Sequence, residues 1–233
     1  MVETVLRPRR RRKASEKLAS AARRYAELGW PVCRGAQLRG RSAPRGGGPD
    51  VNHVQSLAGR ACSCDRIGCP APGAHPLSPA WKSEASCDPG VVARWWSTAP
   101  RSSILLVTGR IFDVLDVPAS AGSAALARLS QAGIRPGPVA AVAGGRTLFF
   151  VASRAASTEE DEWWSCHLDC EPETVPAIAG LRWHCRDSYV LAPPSAQGSG
   201  SAARWLVRPD AAALPDAVRL LEFLADACEE IAQ

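Results

Sequence analysis

Apolar positions at Leu18, Ala21, Ala22, Tyr25 and Leu28 recur every three to four residues, and Gly29 follows at once. Such spacing puts one apolar stripe on a helix, and glycine is the residue that most readily ends one, so the pattern predicts a helix closing near residue 28. "WPVCRG" then reads as a short strand, and residues 39–60, rich in Gly, Arg and Pro without a sustained period, read as a loop. Asp88 before Pro89 makes a good N-cap, predicting a helix over about 89–98 that Pro100 closes. "SILLV" and "FDVLDV" are short apolar runs of the kind central strands carry.

Downstream, "SAGSAALARLSQAG" predicts a helix ending at Gly133, and "VAAVAGGRTLFFVAS" a hairpin turning at Gly144 and Gly145. "STEEDEWW" opens a further expected helix, and "LRWHCRDSYVLAPPS" and "ARWLVRP" supply late strands. From Pro215, the residues Val218, Leu221, Leu224, Ala225, Cys228 and Ile231 are expected to line one face of a C-terminal helix over 215–232. Strands and helices intermix, so the expected fold is a single α/β (α+β) domain over residues 15–233 around a mixed sheet with flanking helices. A Cys-rich loop at 60–80 and a disordered basic arm at 1–14 complete the organisation.

Charge sharpens the picture. The 233 residues hold 28 basic and 23 acidic side chains, and the first 13 contain six of the basic ones (Arg7, Arg9, Arg10, Arg11, Arg12, Lys13) against Glu3 alone. The remaining 22 basic and 22 acidic groups balance, so the whole net charge of +5 sits in the N-terminal tail. A balanced body argues against a uniformly phosphate-binding surface. The tail from Arg7 to Lys13 leaves two readings open: a solvated arm, or a contact for nucleic acid or an acidic protein partner. No run of 18 apolar residues is present, so no membrane partner is expected, and nine cysteines without a framework pattern suit reduced thiols or metal ligands in a cytoplasmic protein.

Cys62, Cys64, Cys69 and His75 fall within fourteen residues among Gly and Pro. Three thiolates and an imidazole satisfy tetrahedral Zn²⁺, and four protein ligands would leave no open position, making such a site structural. The C-x-C pair is tighter than the usual C-x2-C, and a set of plain reduced thiols is the alternative. A second group, Cys166, His167, Cys170, His184 and Cys185, depends on residues about fifteen apart being folded together, and core cysteines with a surface histidine explain it as readily. Ser195 reads as a turn residue rather than a nucleophile, and Trp95, Trp96 and Trp163 as packing anchors.

"YAELGWPV" (25–32), the "CSC....C..PGAHP" segment (62–76), "WW" followed by "P" (95–100), "VTG" (107–109), "VLDV" (114–117), "GGRTLFF" (144–150) and "YVLAPPS" (189–195) occur in an order that resembles the bifunctional DNA primase/polymerase N-terminal (Prim-Pol) domain. The likeness spans roughly residues 18–208. It implies an RNA-recognition-like sheet on which acidic residues hold Mg²⁺ or Mn²⁺ for nucleotidyl transfer, with Gly144, Gly145 and Arg146 at the nucleotide-binding hairpin. Two metals about 4 Å apart need several carboxylates converging on one edge.

The resemblance also implies an Asp-x-Asp at the end of "VLDV". Asp116 matches the first, but Pro118 occupies the second. Asp113 lies an odd number of residues back and so faces the opposite side of a regular strand. Thr147 falls at the implied nucleotide-binding histidine, Arg182 at a third acidic position, and Ala74 where "GKHP" has lysine. Three readings follow: a Prim-Pol-like protein with a degenerate site and a binding role in nucleic-acid metabolism; an active primase/polymerase with a rearranged site built from Asp113, Asp116 and Asp187; or a zinc-stabilised protein-interaction module. No G-x-S-x-G, Walker A, G-x-G-x-x-G or H-E-x-x-H motif points to another enzyme class.

Overall fold

The computed structural model describes residues 6–39, 61–153, 178, 180–198, 200–210 and 212–232, with backbone alone for 6–11. The expected loop at 40–60, the helix opening at "STEEDEWW", and Trp163, Cys166, His167 and Cys170 lie outside the described residues.

Helix α1 (Leu6–Glu27) leads into β1 (Val32–Arg39) through Gly29, whose φ of 76° is the left-handed conformation expected of the helix stop. The helix begins well before residue 15, so residues 6–14, expected as disordered arm, continue α1. The run of Arg and Lys has good intrinsic helix propensity, and the Arg12–Glu16 pair one turn apart supports it. Strand β2 (Ala61–Cys62), the short α2 (Trp81–Glu84) and α3 (Pro89–Thr98) follow. Asp88 caps α3 as its sequence promised, its Oδ1 accepting from the amides of Gly90 and Val91 at 2.7 and 3.1 Å.

Strands β3 (Ser102–Val107) and β4 (Phe112–Pro118) precede α4 (Ala119–Gln131). The hairpin of β5 (Val139–Val142) and β6 (Arg146–Ala152) turns at Gly144 and Gly145, at φ of 81° and 70°. Strands β7 (Arg182–His184), β8 (Tyr189–Leu191) and β9 (Arg204–Val207) and helix α5 (Ala217–Ala232) complete the order.

The fold is α+β, as expected, but the strands sort into two sheets rather than one mixed sheet. The first runs β2-β1-β3-β8 and the second β7-β4-β6-β5-β9, and every described pairing between named strands is antiparallel. Burial on both faces explains why β4 carries apolar residues at odd and even positions alike. Leu115 and Val117 pack with Leu129, Leu220 and Leu224 of α4 and α5, whereas Phe112 and Val114 join Trp30, Trp96 and Ile104 in a second core under α1 and α3. A third, smaller cluster on the far face of the first sheet joins Cys33, Leu105 and Leu191 to Trp81 and Ala74.

The buried stripe of α5 is Ala217, Leu220, Leu224, Ala227 and Cys228, rotated from the expected one; Val218 and Ile231 are exposed. Leu224 and Cys228 belong to both stripes, while Ala217, Leu220 and Ala227 take the places expected of Val218, Leu221, Ala225 and Ile231, because the helix packs on α4 and β4 from the Ala217 side. No helix among the described residues is long and apolar enough to cross a membrane.

Candidate functional site

Alternation along β4 decides which carboxylate reaches which side. Asp113 pairs across the ladder with Val151 of the α4/α5 core, and Asp116 with Leu148 of the α1/α3 core. The two aspartates therefore stand on opposite faces of one sheet, as their odd spacing requires. Asp113 is 2 % exposed and accepts from the Trp183 indole at 3.3 Å. Asp187, at φ 65° in the β7–β8 turn, pairs with Lys82 at 3.1 Å on the surface. A site joining Asp113, Asp116 and Asp187 is not assembled.

On the Asp116 face, backbone register gathers the positions that the sequence pattern marked. Arg182 is the direct partner of Asp116 on β7, and Pro118, two residues along β4, is opposite Arg146 on β6. The edge is thus built as an array of three adjacent positions, filled by a carboxylate, a pyrrolidine ring and an exposed guanidinium. Arg146 closes over it. Its Nε donates to Asp116 Oδ1 at 2.8 Å, and its Nη2 donates to the carbonyls of Asp116 at 3.0 Å and Gly180 at 2.7 Å. His184 Nε2 lies 3.4 Å from Asp116 Oδ2, and its Nδ1 3.1 Å from Ser188 Oγ.

Both oxygens of Asp116 are engaged by nitrogen groups, and its side chain is only 9 % exposed. Divalent cations of the Mg²⁺ and Mn²⁺ type take hard oxygen ligands and are repelled by a neighbouring guanidinium. The residues present do not fit such a pair. Among the described residues, no group of three or more His, Cys, Asp or Glu within ligating distance includes Asp116.

Thr147, expected at the nucleotide-binding histidine, does not face this edge. It pairs with Val117, is buried, and packs where Gly122 of α4 leaves no room: a Cβ there would stand 2.6 Å from the Thr147 Cβ. The hairpin residue that reaches Asp116 is Arg146. Gly144 and Gly145 form the exposed turn beside it, Gly145 O accepting from Ala119 N at the start of α4.

The Cys/His group is assembled by a different device. Cys62 is pinned by the β1–β2 ladder opposite Leu38, and His75 by its carbonyl, which accepts from Ala36 N at 2.8 Å. The buried Ser103 hydroxyl sits against the carbonyls of both Ala36 and Gly73, tying the loop's far end to β3. The ligand atoms of Cys62, Cys64, Cys69 and His75 all lie within 4.8 Å of one another. Thiolates and an imidazole around tetrahedral zinc stand roughly 3.5–3.8 Å apart, so the group can hold such an ion with small adjustment.

The tautomer agrees. His75 Nδ1 lies 2.8 Å from the Pro76 carbonyl, which can only accept, so Nδ1 carries the hydrogen and the Nε2 lone pair points at Cys62 Sγ, 3.2 Å away. Desolvation pushes the Cys62 thiol up, but hydrogen bonds to its sulfur, led by the backbone amides of Cys64 and Gly73, outweigh it and bring the group down to about 6. Desolvation and the neighbouring thiols hold Cys69 above its ordinary value.

Of the second Cys/His group, the described members separate: His184 joins Asp116, and Cys185 is buried in the α4/α5 core. Ser195 is buried too, its Oγ accepting from Ile104 N at 2.8 Å, which fits a turn residue.

The α+β scaffold thus carries two antiparallel sheets, one carboxylate among cations at the end of β4, and a Cys3His loop braced on β1. The model of the bifunctional DNA primase/polymerase N-terminal family matches residues 22–217, and the chain belongs to that family. No curated protein matches the chain.

Proposed function

We propose that this chain is a Prim-Pol family protein whose nucleotidyl-transfer site is degenerate, and that it acts by binding in nucleic-acid metabolism. The observation that carries this reading is the Arg146 guanidinium on Asp116. It takes one carboxylate oxygen in the place where the family's chemistry requires a cation shared with further carboxylates. Arg182 opposite Asp116 and Pro118 beside it leave no second acidic ligand in the array.

The Cys62, Cys64, Cys69 and His75 group holds a zinc ion in this reading. Four protein ligands leave no position for water, so the metal braces the loop against β1 rather than reacting. Its loss is expected to loosen the loop and lower stability.

A primer synthesis and extension assay tests the proposal, using the full chain with single-stranded template, all four nucleotides, and Mg²⁺ or Mn²⁺. No template-directed product is expected. Product that disappears on Asp116→Ala would overturn the degenerate reading and restore the enzymatic one.

A further inference from the structure

A groove of about 910 Å³ runs between α1 and β9, on a part of the molecule separate from the residues gathered at Asp116. Its walls carry Lys13, Lys17 and Arg24 from the helix and Arg204 and Arg208 from the strand and its extension, all exposed. Lys13, Lys17 and Arg24 are separated by four and seven residues, which keeps them on one stripe of α1. Glu16 is the one acid lining the groove, and Arg12 already pairs with it at 2.9 Å. None of the five cations takes part in an ion pair among the described residues. Against a body with as many acidic as basic groups, this is a local concentration of positive charge.

The groove is also rigidly framed. The buried Tyr25 hydroxyl donates to the Pro193 carbonyl at 2.6 Å and accepts from Trp205 Nε1 at 2.9 Å, joining α1, the 193–194 turn and β9 at one point. Trp205 is half-buried and lines the groove, an aromatic surface between two rows of cations. Cations along both walls with an aromatic on the floor are the arrangement that follows a sugar-phosphate chain in proteins that bind single strands without reading sequence. A duplex would present a broad convex surface to a channel of this kind.

We propose that the α1–β9 groove binds the backbone of a single-stranded nucleic acid, with Lys13, Lys17, Arg24, Arg204 and Arg208 as its phosphate contacts. The same helix extends N-terminally to Leu6, and its sequence there holds Arg9, Arg10, Arg11 and Arg12. The inference rests on the nucleic-acid role proposed above and gives it a location.

Fluorescence anisotropy with a labelled oligothymidylate of about 20 nucleotides, titrated with the full chain over a range of salt, tests it. Arg24→Glu with Arg204→Glu is compared with Arg66→Glu and Arg101→Glu, exposed residues outside the groove that change net charge equally. The groove pair is expected to weaken binding at least tenfold. It should also flatten the dependence of log K on log salt by about 1.4, the equivalent of two lost contacts to a single strand. The control pair should stay within about twofold of wild type, with circular dichroism confirming that both variants fold.

Equal weakening by both pairs, or none by the groove pair, overturns the assignment. If replacing Arg9, Arg10 and Arg11 with Gln abolishes binding while the groove pair leaves it intact, the groove assignment fails and the nucleic-acid role stands. If wild type binds no strand, both fail together. Binding polyglutamate or the matching duplex as tightly as the single strand also overturns the proposal.

Discussion

Arg182 stands directly across the β4–β7 ladder from Asp116, on the same face of the sheet as Arg146, whose Nε lies 2.8 Å from the Asp116 carboxylate. What the pairing of β4 with β6 and β7 brings together at this point is one anion among cations. Strand register here assembles an ion-pair cluster, because register fixes neighbours and not their charge.

The scaffold's capacity can be tested separately from its present chemistry. A variant carrying Pro118→Asp, Arg182→Asp and Arg146→Ala places three carboxylates on adjacent positions of one face. It is expected to bind Mn²⁺, seen as loss of the free-ion paramagnetic resonance signal. Wild type at equal concentration should leave that signal unchanged.

Removing Arg146 alone should cost stability. Asp116 would keep its burial and lose three hydrogen bonds' worth of ordering around it, since Arg146 also holds the carbonyls of residues 116 and 180. Urea unfolding of Arg146→Met is expected to show a loss of about 1–3 kcal/mol, with the double Asp116→Asn/Arg146→Met recovering part of it in a mutant cycle.

In metal-free protein, the thiols should separate by pH. Cys62 is depressed to about 6, whereas burial pushes Cys33 and Cys228 up to about 11. A depressed acid stabilises the fold above its unfolded value and loses that contribution as pH falls through the folded one. Alkylation followed by mass spectrometry should therefore give Cys62 a midpoint near pH 6. Apo-protein stability should fall as pH drops from about 9 to about 6, and Cys33 and Cys228 should stay unreactive at neutral pH.

Gly109 is expected to tolerate no side chain. It sits at φ 84° with a prospective Cβ 2.1 Å from Arg186 Cα and 2.4 Å from Arg186 N, so the β3–β4 turn would have to leave the β7–β8 turn. Gly109→Ala combines strain with overpacking against backbone, and should lose about 3 kcal/mol or more in denaturant unfolding.

Tyr25→Phe removes the hydroxyl that ties α1 to Pro193 and Trp205. The buried Pro193 carbonyl and the half-buried Trp205 indole lose this partner, at a cost of about 1–3 kcal/mol by thermal or urea unfolding. Because those contacts frame the groove, the same variant should weaken oligothymidylate binding without altering its salt slope.

Local rules carried much of the fold. The Asp88 cap, the Gly29 and Gly133 helix stops, the glycine turn of the β5–β6 hairpin and the opposite facing of Asp113 and Asp116 each depend on a few consecutive residues. Alternation and capping act over distances that the chain itself spans, so the sequence by itself determined them, along with α3, α4, α5, the end of α1, most of the strands and the family.

Tertiary structure alone decided what meets what. Residues 116, 146 and 182 converge only through pairing of three strands, and the β4–β6 register sets Arg146, not Thr147, on the Asp116 face. Division into two sheets, the rotated stripe of α5 and the cations gathered at the α1–β9 groove depend in the same way on contacts between segments far apart in sequence. A strand's pattern states which face a side chain takes; only the packing of its neighbours states what waits on that face.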